Sequence, residues 1–151
     1  MHNTNTFTPI HERDLTSEQI KKALDAISVI KEKRDGSVKG RICANGRKQR
    51  LWKSKAESAS PTAHTDSVFL TSMIDAHEER ATAVVDVPGA YLNAEIGEFL
   101  ILKFVDEQVD AMCKINSKYE KYVIRKGKRR ILYLMLNQAL YGCVQSALLW
   151  Y

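Results

Sequence analysis

The chain has 151 residues, 44% of them hydrophobic and 27% charged, an ordinary globular composition with enough chain for one buried core. Its 23 basic and 18 acidic residues leave a net charge of +5, which favours an anionic partner. No apolar run approaches membrane-spanning length and no basic-then-apolar leader opens the chain. Cys43, Cys113 and Cys143 are too widely spaced for a disulfide framework or a zinc ribbon, so the pattern fits a reducing intracellular compartment and argues against secretion.

Residues 1–14 carry few large apolar groups and read as a flexible leader to a single region over 15–151. A helix is predicted next, with Thr16 as N-cap, Gln19 as its capping-box partner and Leu15 with Ile20 as a hydrophobic staple. Ile20, Ala23, Leu24 and Ile27 extend its apolar face at helical spacing. From Val29 to Arg47 a β-hairpin is predicted around Asp35-Gly36. Alternation puts Lys39, Arg41 and Cys43 on one face of its returning strand. Such cations can grip an anion or merely protect an exposed edge.

Residues 50–62 lack a sustained period and read as a connecting loop, in which Trp52 serves as a partly buried anchor or a stacking surface for a base. Thr65 to Arg80 has helical spacing. The segment Ala83-Val84-Val85-Asp86-Val87-Pro88-Gly89-Ala90-Tyr91-Leu92-Asn93 follows. Val84, Val85 and Val87 are strand-prone and Pro88-Gly89 cannot continue a central strand, so Asp86 is predicted at a strand's end, rigidly held and facing open space. Asp86 could simply help to end that strand. Gly89 and Ala90, however, leave backbone N–H groups uncovered for an anion, and Tyr91 offers an aromatic face for a sugar or base.

Glu98 to Phe104 suits a strand and Asp106 to Ile115 a short helix. A second hairpin is predicted from Tyr122-Val123-Ile124-Arg125 through the Lys126-Gly127-Lys128 turn to Arg129–Leu136. Its cations Lys126, Lys128, Arg129 and Arg130 can meet nucleic-acid phosphates or simply solvate the turn.

Three blocks carry a family resemblance. Asp86-Val87-Pro88-Gly89-Ala90-Tyr91-Leu92-Asn93 resembles the first palm motif of reverse transcriptases in the form used by copia-type retrotransposons. Lys39-Gly40-Arg41-Ile42-Cys43-Ala44-Asn45-Gly46-Arg47-Lys48-Gln49 resembles their fingers strand, and Leu140-Tyr141-Gly142 through Trp150-Tyr151 resembles a third block. The three stand in the family's order and cover roughly residues 20 to 151.

The resemblance implies an α+β fold, the fingers and first part of the palm of a right-hand polymerase, and RNA-directed DNA synthesis by two-metal nucleotidyl transfer. It implies that Asp86 is catalytic and, with Val87, binds Mg²⁺. Arg41 is the principal grip on the triphosphate, helped by Lys39 or, from the opposing strand, by Lys31 or Lys33, and the backbone at Val87, Gly89 and Ala90 also meets it. Tyr91 screens the sugar's 2′-hydroxyl, and Tyr141 and Gly142 lie by the template base and incoming nucleotide. The implied partners are an RNA template, a DNA primer and deoxynucleoside triphosphates, in a cytoplasmic virus-like particle or the nucleus, with no membrane.

Two departures matter. Val144-Gln145-Ser146-Ala147 stands where the family commonly has Lys-Gln-Ala-Pro, and no Asp-Asp dipeptide occurs. The family's second carboxylate pair lies in a downstream Tyr-x-Asp-Asp hairpin. The expectation is therefore a polymerase portion inactive on its own, with a catalytically dead nucleic-acid-binding remnant of a transposable element as the alternative.

Overall fold

The computed structural model describes residues 5–151. Its elements are β1 (Phe7–Ile10), α1 (Ser17–Lys22), β2 (Leu24–Glu32), β3 (Val38–Ala44), α2 (Thr65–His77), β4 (Ile101–Val105), α3 (Glu107–Ile115), β5 (Ile124–Lys126), β6 (Arg129–Leu136) and α4 (Ser146–Trp150). They make a mixed six-stranded sheet in the order β1-β6-β4-β2-β3, with β5 also on β6.

Strand β6 holds this sheet together because Ile131 to Leu136 is apolar at every position, the pattern of a strand covered on both faces. Leu132, Leu134 and Leu136 enter one core with Leu24, Leu102, Phe104 and the α3 residues Val109 and Met112. Ile131 and Tyr133 enter a second core on the opposite face with Leu15, Ala23 and Ile101. β4 lies antiparallel along one edge of β6. β1 and β5 follow one another along the other edge.

The capping box forms as the sequence predicts: Gln19 N–H donates to Thr16 Oγ1 at 3.2 Å, and Thr16 N–H donates to Gln19 Oε1 at 2.8 Å. The helix nevertheless ends at Lys22, and Leu24 begins a nine-residue strand. Backbone pairing explains the difference. Leu24 and Asp25 lie parallel to Leu102 and Lys103 of β4, and from Ala26 onward β2 pairs with β3, so the β-branched Ile27, Val29 and Ile30 take the extended conformation they favour.

The leader reading also needs correction within the described residues, which exclude 1–4. Phe7–Ile10 is a strand paired with Tyr133–Leu136, Phe7 is buried in the first core, and Ile10 packs against the second. Both hairpins form. The first closes through three residues, one more than the Asp35-Gly36 dipeptide, with Lys33 N–H donating to Ser37 O at 2.8 Å and Gly36 at φ +76°. The second turns on Gly127-Lys128 between the paired Lys126 and Arg129.

The strand predicted to carry Asp86 is absent. Residues 81–88 are irregular and exposed, and none of their backbone groups has a backbone hydrogen bond among the described residues. Val84 and Val85 have strand propensity, but a strand exists only against a partner, and none pairs with them among the described residues. Helix α2 forms as predicted yet buries none of its residues, leaving Val68, Phe69, Leu70 and Met73 exposed. Charging this arm should therefore cost little stability. Phe69→Asp with Val85→Asp is expected to shift the unfolding free energy by less than about 0.5 kcal/mol per site while reducing binding of an apolar fluorescent dye. A large fall in melting temperature would mean that the arm is buried in solution.

Candidate nucleotide-binding site

Three elements converge on Tyr141. The loop after β6 is held by a backbone crossing in which Ala44 N–H donates to Tyr141 O at 2.8 Å. Gly142 sits at φ +91°, and a Cβ there would stand 2.0 Å from Ala44 O. A Cβ on Gly46 would stand 2.1 Å from Gly142 O. Only glycine at both positions lets the two chains approach so closely. The crossing fixes where the half-buried Tyr141 ring emerges.

Arg41 on β3 reaches this ring, its Cζ 6.0 Å from the centroid, in the range of cation–π attraction. Tyr91 meets it from the other block. Gly89 adopts the left-handed conformation at φ +65° and starts a 3-10 turn, Ala90–Asn93, and the Tyr91 and Tyr141 centroids lie 4.7 Å apart at 52°. The cluster offers a guanidinium and two aromatic faces, groups suited to phosphate and to a base or sugar.

Beside the cluster, the first hairpin concentrates cations. Lys31 lies directly opposite Lys39, and Val29 opposite Arg41. A cleft of about 510 Å³ is bordered by Lys31, Lys33, Arg34, Lys39, Arg41 and Glu32. None of those five cations forms an ion pair among the described residues. Like charges facing across a strand pair repel, so an anion in this cleft would relieve a cost that the fold itself leaves uncompensated.

The second turn is different. Lys126 Nζ binds Glu12 at 2.5 Å, and Arg130 binds Asp110 as well as Glu120, the latter at 3.0 Å. These two cations are neutralised by carboxylates from other elements. Lys128 and Arg129 stay exposed without an ion pair among the described residues.

Asp86 is exposed on the irregular segment and makes no hydrogen bond or ion pair among the described residues. With the Val87 carbonyl it offers one carboxylate and one neutral oxygen. No group of three or more His, Cys, Asp or Glu residues able to hold a metal occurs among the described residues. That donor set does not fit a pair of Mg²⁺ ions, which needs carboxylates from more than one place.

Residues passed over in the sequence support the site from beneath. Gln49 is fully buried. Its Nε2 donates to Gln145 Oε1 at 2.8 Å, and its Oε1 accepts from Val144 N–H at 3.1 Å. Gln145 donates in turn to Glu98, which pairs with Lys53 at 2.8 Å. The hydrogen bond to Glu98 is the main cause holding the Lys53 ammonium above the usual lysine range. A glutamine between Lys48 and Arg50 gives no local sign of burial.

Cys143 is a buried member of the same loop, and burial pushes its thiol up to about 12. An acid whose folded pKa is raised gives stability that is complete below its unfolded value, near 9, and is lost as pH rises towards the folded value. Stability should therefore fall between about pH 9 and 12, less steeply in Cys143→Ala. Equal slopes in alkaline denaturation would assign the loss to the buried Tyr119 and Tyr133.

Fold and site together define an α+β protein with a mixed sheet and an arginine–tyrosine cluster beside a basic hairpin. Compared with protein-family models, curated proteins and solved structures, the chain matches none. No helix among the described residues is long and apolar enough to cross a membrane.

Proposed function

We propose that this chain is the fingers and first palm portion of a copia-type reverse transcriptase, and that its basic first hairpin binds the phosphates of a deoxynucleoside triphosphate and, when no nucleotide occupies it, those of RNA. What carries the reading is the meeting of Arg41, Tyr91 and Tyr141. Each belongs to a different block of the resemblance, successive members stand fifty positions apart, and all three share one cluster.

In this reading Arg41 and Lys39 hold the triphosphate, with Lys31 beside them, because the guanidinium fork binds two phosphate oxygens while staying charged. Backbone groups at Val87, Gly89 and Ala90 approach the same phosphates. Tyr91 closes the space beside the sugar's 2′ position, and Tyr141 with Gly142 supports the base. Mg²⁺ in the complete enzyme supplies Lewis-acid chemistry. Asp86 and Val87 could contribute ligands but do not suffice for a pair of Mg²⁺ ions, so no bond-making step is assigned to this chain.

That donor set also favours the second reading, a binding remnant of a transposable element without chemistry. Under both readings, primer extension on an RNA template by the pure chain should give no Mg²⁺-dependent product.

The direct test is calorimetric titration with a deoxynucleoside triphosphate without added metal. Arg41→Ala should weaken binding by about tenfold or more, the scale of one charge-assisted hydrogen bond, whereas Asp86→Asn should change it little. Absence of saturable binding at millimolar nucleotide would overturn the proposal.

A further inference from the structure

We infer that Gln49 is a positioning residue: its carboxamide sets the Tyr141 loop and thereby decides whether the Tyr141 ring stands between Arg41 and Tyr91 to receive a base. The nucleotide part of this inference rests on the function proposed above; the positioning part does not.

Gln49 is 0% exposed and links segments separated by more than ninety positions. Its oxygen accepts from Val144 N–H and its nitrogen donates to Gln145. Those two residues closely follow Tyr141 and Gly142, so the amide grips the loop just beyond the glycine crossing. Gln49 is itself anchored, its N–H donating to Gly46 O at 3.0 Å and its carbonyl accepting from Lys53 N–H at 2.8 Å. Ser146 Oγ donates to Leu140 O at 2.6 Å and closes the loop from the other side.

A carboxamide suits this position because one planar group must both accept and donate. The chain of bonds has a direction. Protons point from Val144 N–H to Gln49, from Gln49 to Gln145, and from Gln145 to Glu98, whose carboxylate also meets Lys53. Gln49→Glu, compared at a pH high enough to ionise the new buried carboxyl, keeps the size and the acceptor for Val144 but removes the proton that Gln145 Oε1 receives. Gln145 can turn over to donate to the new carboxylate, but its oxygen then faces the carboxylate of Glu98. Adding Glu98→Gln supplies a donor at that end, so the double variant can run the chain in reverse.

The experiment compares wild type, Gln49→Glu and Gln49→Glu/Glu98→Gln by two readouts. The first is the nuclear Overhauser contact between the Tyr91 and Tyr141 rings. The second is the affinity for dATP divided by that for inorganic tripolyphosphate, which senses the base while leaving the hairpin cations common to both ligands.

Wild type should show the ring contact and prefer dATP by about fivefold or more, the scale of one base stacking on an aromatic ring. Gln49→Glu should lose the contact and the preference, with tripolyphosphate affinity kept within about twofold. The double variant should regain both. Retention of the ring contact in Gln49→Glu, or failure of the double variant to restore it, overturns the inference. Where Gln49→Glu does not fold, the double variant decides: recovery of fold and contact supports the inference, and continued unfolding overturns it. A wild type that shows the ring contact but no preference for dATP overturns the nucleotide reading, and the loss and recovery of the contact then still test the positioning role.

Discussion

Gly142→Ala is expected to destabilise the protein by about 3 kcal/mol or more and to lower its melting temperature by about 10 °C. Two costs combine. Holding a residue with a Cβ in the left-handed region costs roughly 1–2 kcal/mol, and φ is +91° here. The new methyl would also stand 2.0 Å from Ala44 O and near 3 Å from Ala44 C and N. Those are backbone atoms of a paired strand, which cannot swing aside like the end of a flexible side chain.

Two other glycines serve as controls. Gly36 has φ +76° with nothing within 4 Å of its imagined Cβ, so Gly36→Ala should show the conformational cost alone, about 1 kcal/mol. Gly40 has neither a positive φ nor a near neighbour, so Gly40→Ala should be neutral or slightly stabilising. Thermal melts of the three variants make the test. If Gly142→Ala melts like Gly36→Ala, the crossing between Gly142 and Ala44 is looser in solution than the structure has it.

Features written in short-range chemistry were legible in the sequence. The Thr16 capping box, both hairpin turns and α3 each depend on residues within a few positions of one another, and each forms. Features that depend on a partner elsewhere were not. Ile20, Ala23, Leu24 and Ile27 satisfy a helical period, but Leu24 faces Leu102 of β4 and its backbone pairs there, which no local pattern encodes. Phe7–Ile10 is short, with Thr8 and Pro9 between its two large apolar residues, and only β6 makes it a strand. The Asp86 segment shows the converse, since Val84, Val85 and Val87 have the propensity and find no partner strand among the described residues.

The same distinction runs through the candidate site. Arg41, Tyr91 and Tyr141 were singled out by motif, and their meeting is a property of the fold. Gln49 closes the fingers block, but its neighbours Lys48 and Arg50 suggest a solvated stretch and its partners lie at 144 and 145, so nothing local marks its burial. The turn at 126–130 looked like a free basic patch because its counter-ions, Glu12, Asp110 and Glu120, come from three other places in the chain.

That reassignment of cations decides which substitutions should control binding to single-stranded RNA. Each phosphate contact contributes about 0.7 to the slope of log affinity against log salt on a single strand. Lys31, Lys33, Lys39 and Arg41 have no ion pair among the described residues, so replacing all four with alanine should reduce the slope by as much as about 3 and nearly abolish binding at physiological salt. Lys128→Ala with Arg129→Ala should reduce it by no more than about 1.4. Lys126→Ala and Arg130→Ala should leave it nearly unchanged, because those side chains already face Glu12, Asp110 and Glu120. Arg130→Ala should instead act on folding, since it strips two carboxylates of their partner beside the N-terminus of β6. The measurement is fluorescence anisotropy of a labelled oligoribonucleotide over a salt series, with a melting curve for each variant. If the turn variants flatten the slope while the hairpin variants leave it alone, the RNA runs along the second hairpin and the basic cleft on the first is not its binding surface.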